Sequence, residues 1–227
     1  MENKTKKIDK ITRCYNLSFE TRDAEEEGKG IVEGLAIVYD SRTDLGYFDE
    51  IIERNALIGT DMKDVRLLVN HDTSMIPLAR SRNNNANSTL QLIPDERGLK
   101  IRATLDLENN SDARNLYSAI SRGDITGMSF MFEVDGESWE NTQSDHPTRR
   151  ITSIAKIYEV SAVTFPAYEQ TEINARSKEE LESYLTTLES AKDEASSLDS
   201  DTCDEHIQAK EEEKRELELL KAKIKNL

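Results

Sequence analysis

Cysteine is scarce in this chain of 227 residues: Cys14 and Cys203 are the only two. They stand far apart in very different contexts, so a structural disulfide is not expected, and a reducing cytosolic compartment fits. Histidine is nearly as scarce, at His71, His146 and His206. No Cys-x-x-Cys or His-x-x-x-His spacing occurs, so neither a structural zinc site nor a cofactor is expected. No apolar run approaches ~20 residues, the length needed to span a bilayer. The opening Met1-Glu2-Asn3-Lys4-Thr5-Lys6-Lys7 is charged and no apolar stretch follows it, so no signal peptide and no membrane contact are expected. Positive charge is also short, with 30 Lys and Arg against 45 Asp and Glu and a formal charge of −15. Nothing here builds a basic surface to neutralise phosphates, which argues against direct nucleic-acid binding.

Glycine and proline disappear altogether after Ser177, where Glu, Lys, Ala, Leu and Ser take over. Residues 178–227 hold 15 acids and 8 bases. The expected organisation is a disordered N-terminus over 1–12, a folded domain over 13–177, and a charged helical or partly disordered tail over 178–227. In that tail Leu181, Leu185 and Leu188 share a helical face. Leu217, Leu220, Ile224 and Leu227 follow 3-4-3 spacing, a short docking seam of too few heptads to hold a coiled coil alone.

The folded part reads mainly as short strands. Arg13 to Glu20 and Gly30 to Tyr39 flank a turn rich in Glu, Asp and Gly, a plausible hairpin. Phe48 to Leu57 carries apolar residues at 48, 51, 52 and 56, a short helix pattern. Val65 to Val69 is a strand that ends at His71. Ile76 to Ser81, Ser88 to Pro94 and Leu99 to Leu107 form a meander, with turns at Asn83 to Asn87 and Asp95 to Gly98. Ser111 to Arg122 is a helix with Ala113, Leu116, Tyr117 and Ile120 on one face, a cap from Asn110, Ser111 or Asp112, and a stop at Gly123. Ile125 to Val134 and Ile151 to Thr164 are strands around a polar insert, Asp135 to Arg150, expected as an exposed loop. The class is mainly β with flanking helices, and the strand pattern alone does not separate a barrel from a sandwich.

Three segments carry chemistry: Asn70-His71-Asp72, Gly127-Met128-Ser129-Phe130, and the run from Tyr158-Glu159-Val160-Ser161 to Phe165-Pro166-Ala167. Together they offer the parts of a serine-hydrolase triad, with Ser129 as nucleophile, His71 as base and Glu159 as its orienter. A serine hydroxyl is a weak nucleophile until an imidazole can take its proton, and the imidazole needs a partner that fixes its tautomer. Gly127 permits close backbone approach beside Ser129. Each residue also has a plainer reading. Ser129 can be a small residue tolerated in an apolar strand, His71 a loop histidine bonded to a neighbour, and Glu159 an edge carboxylate facing water. Asp72, Asp124 and Glu133 are alternative carboxylates. Oxyanion donors are usually backbone N–H groups, which sequence does not show; Arg80 and Arg82 are the side chains that could assist.

At these residues, and at Gly34 to Tyr39 and Phe48 to Leu57, the chain resembles the prohead (capsid-maturation) proteases of tailed bacteriophages. Five blocks stand in the family's order at family-like spacing, from about Tyr15 to about Arg176. Ala79 and Met131 stand where glycine is common in the family. The resemblance implies a closed antiparallel β-barrel of about seven strands with flanking helices, like that of the herpesvirus assembly proteases. It implies a serine endopeptidase with catalytic His71, Ser129 and Glu159. Its substrates would be scaffold protein or the scaffolding segment of the major capsid protein, and the protease itself. It further implies a homo-oligomer, a dimer being a form related folds often need, working inside the assembling prohead in the host cytoplasm. A scaffold or assembly protein that keeps the fold without cutting is the alternative.

Overall fold

The computed structural model of the chain describes residues 10–16, 19–83, 87–164 and 178–190. The expected N-terminal segment before residue 10 and the seam from Leu217 to Leu227 lie outside them. In chain order the elements are β1 (Lys10–Asn16), β2 (Phe19–Asp23), β3 (Lys29–Val38), β4 (Arg42–Asp44), β5 (Asp49–Ile52), β6 (Arg66–Val69), β7 (Ala79–Arg80), β8 (Leu90–Pro94), β9 (Gly98–Asp106), α1 (Ser111–Arg122), β10 (Gly127–Glu140) and β11 (Thr148–Val163). A second helix, α2, covers 178–190. No helix among the described residues is long and apolar enough to cross a membrane.

The strands do not close into a barrel, which corrects the expected architecture. They form two open sheets. One is antiparallel with four strands in the order β2-β3-β9-β8. The other is mixed with seven strands, in the order β1-β10-β11-β5-β4, while β6 pairs with β11 and β7 with β6. The physical reason lies in β11. At 16 residues it is long enough to serve two partners. Its C-terminal part takes β6 in parallel, Glu159 opposite Arg66 through Ala162 opposite Val69. Its N-terminal end meets the β5 segment, where the Glu53 N–H donates to the Ile151 carbonyl at 3.0 Å. A sheet that forks at one strand ends in several separate edges, and closure needs the first and last strands to meet.

Helix α1 forms where its pattern places it. Ala113, Leu116 and Ile120 are buried on one face. The Asn110 side chain accepts from the Asp112 and Ala113 N–H groups, and Gly123 closes the helix in the left-handed region at φ 78°. The β8–β9 turn is equally local: the Asp95 carboxylate accepts from the Arg97 and Gly98 N–H groups at 2.7 and 3.1 Å.

Two other expectations fail for non-local reasons. Phe48 to Leu57 is not a helix. Its first half is β5, buried along its whole length, and its second half is a chain of tight turns, such as Ala56 N–H to Glu53 carbonyl at 2.9 Å. Apolar spacing of three and four cannot by itself tell a short helix from a strand buried on both faces. The insert from Asp135 to Arg150 is not a loop either, because β10 runs on to Glu140 and β11 starts at Thr148. Polar side chains with one face in water are compatible with a hairpin arm.

By internal contacts the chain forms two units. The first comprises the described residues within 1–41, 52–138 and 151–168. Its core gathers Ile37, Leu67, Leu90, Leu99, Ile101, Leu105, Phe130 and Phe132, each nearly or fully buried. Burial of one such side chain contributes about 1.5–3 kcal/mol. The second comprises those within 42–51, 139–150 and 169–227. There Leu181 and Leu185 of α2 are buried with Leu45 and Phe48, and Trp139 stacks on Tyr184 at 5.0 Å. Arg149 reaches Glu50 at 3.3 Å and Glu180 at 2.8 Å.

Candidate active site

All three triad candidates lie in the first unit. His71 follows β6 in a loop with unusual backbone. Asn70 and His71 both adopt positive φ, at 50° and 59°. Such conformations cost about 1–3 kcal/mol each for a non-glycine residue and persist only where neighbours impose them. Here β11 and its end impose them. The Asn70 N–H donates to the Ala162 carbonyl at 2.9 Å. The Asn70 side chain accepts from the Thr164 N–H at 2.9 Å and donates to its hydroxyl at 3.0 Å. The His71 N–H donates to Ser161 Oγ at 3.2 Å.

That loop aims the imidazole at β11. His71 Nδ1 meets Glu159 Oε1 at 2.6 Å. Glu159 is buried, and its other oxygen accepts from the Ser161 hydroxyl at 2.5 Å. With both carboxylate oxygens engaged and Nδ1 as donor, Nε2 is the ring atom left to exchange a proton. Nε2 is buried and has no hydrogen-bond partner among the described residues. Burial pulls the His71 pKa down, but the Cys14 thiol and the Glu159 carboxylate outweigh it and lift it from 6.5 to about 9.

Ser129 lies on β10, within four consecutive buried residues, Gly127 to Phe130. It is fully buried. Its hydroxyl donates to the Arg13 carbonyl at 2.9 Å and accepts from Cys14 Sγ at 3.0 Å. The β1–β10 register explains both contacts, because Cys14 stands directly opposite Ser129. No hydrogen bond joins Ser129 to His71. The fold thus brings His71 and Glu159 together and turns the Ser129 hydroxyl to β1.

The alternative carboxylates are engaged elsewhere. Asp72 is exposed and accepts from the Ser74 N–H and hydroxyl. Asp124 pairs with Arg122, and Glu133 accepts from the Tyr158 hydroxyl at 2.8 Å. Arg80 is bound to Asp64, and the Arg82 N–H donates to Ser88. Of three further residues at the site, two carry signals that are partly readable in the sequence. Ser161 shares a strand face with Glu159. Asn70 is a residue type that tolerates positive φ. Cys14 shows nothing until β1 pairs with β10. As to metals, the described residues of the second unit gather Asp44, Asp49 and His146 with ligand atoms within 4.8 Å of one another. Arg42 already holds Asp49 at 2.5 Å, and two of the three are exposed.

A mixed sheet that carries a buried strand serine and holds a carboxylate–imidazole pair has the components of a serine hydrolase. The chain belongs to the caudovirus prohead serine protease family, whose model matches residues 17–186. Comparison with curated proteins finds no match, and comparison with solved structures finds none either. Membership of that family supports a protease role in capsid maturation, inside the phage prohead in the host cell.

Proposed function

We propose that this chain is a serine endopeptidase in which Ser129 is the nucleophile, His71 the general base and Glu159 the residue that orients it. The Glu159–His71 contact at 2.6 Å carries this reading, because it holds the ring with Nε2 as the working atom. In the resting arrangement the Ser129 hydroxyl is bonded to Arg13, so reaction needs rotation of its χ1 toward Nε2. Exchange of one neutral hydrogen bond costs about 0.5–1.5 kcal/mol, small beside the barrier of peptide hydrolysis. His71 in its neutral form, whose share grows as pH rises toward about 9, then takes the hydroxyl proton as Ser129 Oγ bonds to the peptide carbonyl carbon. The protonated ring next gives that proton to the leaving amine, and water releases the acyl group by the same route. Glu159 balances the imidazolium throughout.

The substrates proposed are scaffold protein or the scaffolding segment of the major capsid protein, and the protease itself, with the enzyme acting as a homo-oligomer. The test is co-expression of the full chain, and of its Ser129→Ala variant, with the cognate capsid protein, read by intact mass. Truncation of capsid protein and protease with the wild type alone is the expected result. Processing at the same rate by Ser129→Ala would refute the assignment of the nucleophile. Intact masses with both, in normally assembled shells, would favour a binding-only scaffold.

A further inference from the structure

One reactive group in the site has no part in that mechanism: the Cys14 thiol. Its place is set by strand register, opposite Ser129 across the β1–β10 pair. Cys14 is half-buried whereas Ser129 is fully buried, so Cys14 is the more accessible residue of the two. Sγ lies 3.0 Å from Ser129 Oγ. The thiol also acts on the charge of the His71 ring, raising its pKa, and the ring's Nε2 is buried and without a hydrogen-bond partner among the described residues. The groups around that ring are Glu159 and Ser161 from β11, Cys14 from β1, and Asp72 in its own loop, which is exposed and bound to Ser74. A thiol beside an imidazole that is itself held by a carboxylate is in the surroundings that produce a thiolate at neutral pH.

We propose that Cys14 is a reactive thiol built into the protease site, that it accepts soft electrophiles and small disulfides, and that its modification blocks Ser129. The reading rests on Ser129 as the nucleophile only for the blocking step. Ahead of the covalent step the Sγ proton has passed to His71 Nε2, leaving a thiolate beside the imidazolium. With an alkyl halide the thiolate bonds to carbon and the halide leaves. With a small disulfide the thiolate bonds to one sulfur, the S–S bond breaks, and the other sulfur leaves as a thiolate. The adduct then stands between the ring and the Ser129 hydroxyl, and the proton transfer between them is lost. Dithiol reductant reverses the disulfide adduct and not the thioether.

The experiment uses the full chain carrying Cys203→Ala, so that Cys14 is its one thiol, with iodoacetamide and oxidised glutathione as probes. Adduct formation is followed by intact mass, and cleavage of co-purified capsid protein is followed in parallel. One adduct per chain is expected, with cleavage lost at the same rate constant as labelling. Dithiothreitol restores cleavage after glutathione only. Labelling at about pH 7 should run within about threefold of its rate at pH 9, and His71→Asn should slow it at pH 7 at least about tenfold. The activity that Cys14→Ser retains, whatever its level, should resist iodoacetamide. The proposal is overturned if labelling rises about tenfold per pH unit as for an ordinary thiol, if His71→Asn leaves its rate unchanged, or if the labelled chain cleaves at the unlabelled rate. Labelling is read by mass without need of cleavage. Failure of the Ser129 assignment, seen with Ser129→Ala, is therefore distinguishable from failure at Cys14.

Discussion

Replacement of His71 by Asn gives a direct measure of how strongly the fold holds the ring's proton. Asparagine does not titrate and tolerates the positive φ of 59° at this position. His71 titrates at 6.5 when unfolded and at about 9 when folded. A folded pKa above the unfolded one gives stability that is fully present below pH 6.5 and is lost as pH rises through about 9. At 1.4 kcal/mol per pH unit, that displacement corresponds to about 3 kcal/mol. About a quarter of the side chain is exposed, so screening by water brings the expectation to about 2 kcal/mol. Cys14 interacts with the ring, and its ionisation forms part of the same joint titration. The assay is urea unfolding of the full chain at about pH 6 and pH 10, in a Ser129→Ala background that removes the proposed nucleophile. Titrations common to both proteins cancel in the difference; that of Cys14 does not, so the comparison is repeated with Cys14→Ala in both proteins. His71→Asn should cost about 2 kcal/mol more at pH 6 than at pH 10. A cost equal at the two pH values within about 0.5 kcal/mol would refute the claim that Glu159 and Cys14 hold a proton on the ring.

Two further substitutions test the surroundings of the site. Ser161→Ala leaves the second oxygen of Glu159 and the His71 N–H without their present partner, so it should destabilise the chain by about 2–4 kcal/mol and lower cleavage; a urea midpoint within error of wild type would exclude that role. Gly98→Ala puts a Cβ 1.8 Å from the Ile37 carbonyl oxygen at φ 157°, so the β3–β9 pair must separate locally. The expected cost exceeds about 3 kcal/mol, read as a fall in the thermal midpoint.

What could be read in advance divides by the range of the interaction. Helix α1 and the Asp95 to Gly98 turn are specified by neighbours within a few residues: a cap at Asn110, a left-handed glycine at 123, an Asx turn at Asp95. Both stand where the pattern puts them. Closure of a sheet depends on which distant strand takes each edge. The parallel seat of β6 on β11 has no local mark in either strand. The expected barrel was therefore wrong, and so was the loop at Asp135 to Arg150, where the arms of a hairpin continue. The site shows the same division. His71, Ser129 and Glu159 were legible as residue types in motifs, and the structure places His71 Nδ1 2.6 Å from Glu159. The orientation of the Ser129 hydroxyl toward Arg13 was not legible. Neither was the presence of Cys14, which looked relevant only to a disulfide, because both depend on a register between segments more than a hundred residues apart.

The clamp on the histidine loop also has a consequence in time. His71 is bonded to Glu159 and Ser161, 88 and 90 residues further along the chain. At translation speeds of about 5–20 residues per second, β11 follows the loop by roughly 5–20 s. Until then nothing compels Asn70 and His71 into their left-handed backbone, and the imidazole has no carboxylate. Contacts of such long sequence separation also slow refolding. On the proposed assignment, a nascent or partly folded chain accordingly holds the parts of a cutting site without the site, and the completed β11 sets the earliest moment at which neighbouring polypeptide is at risk.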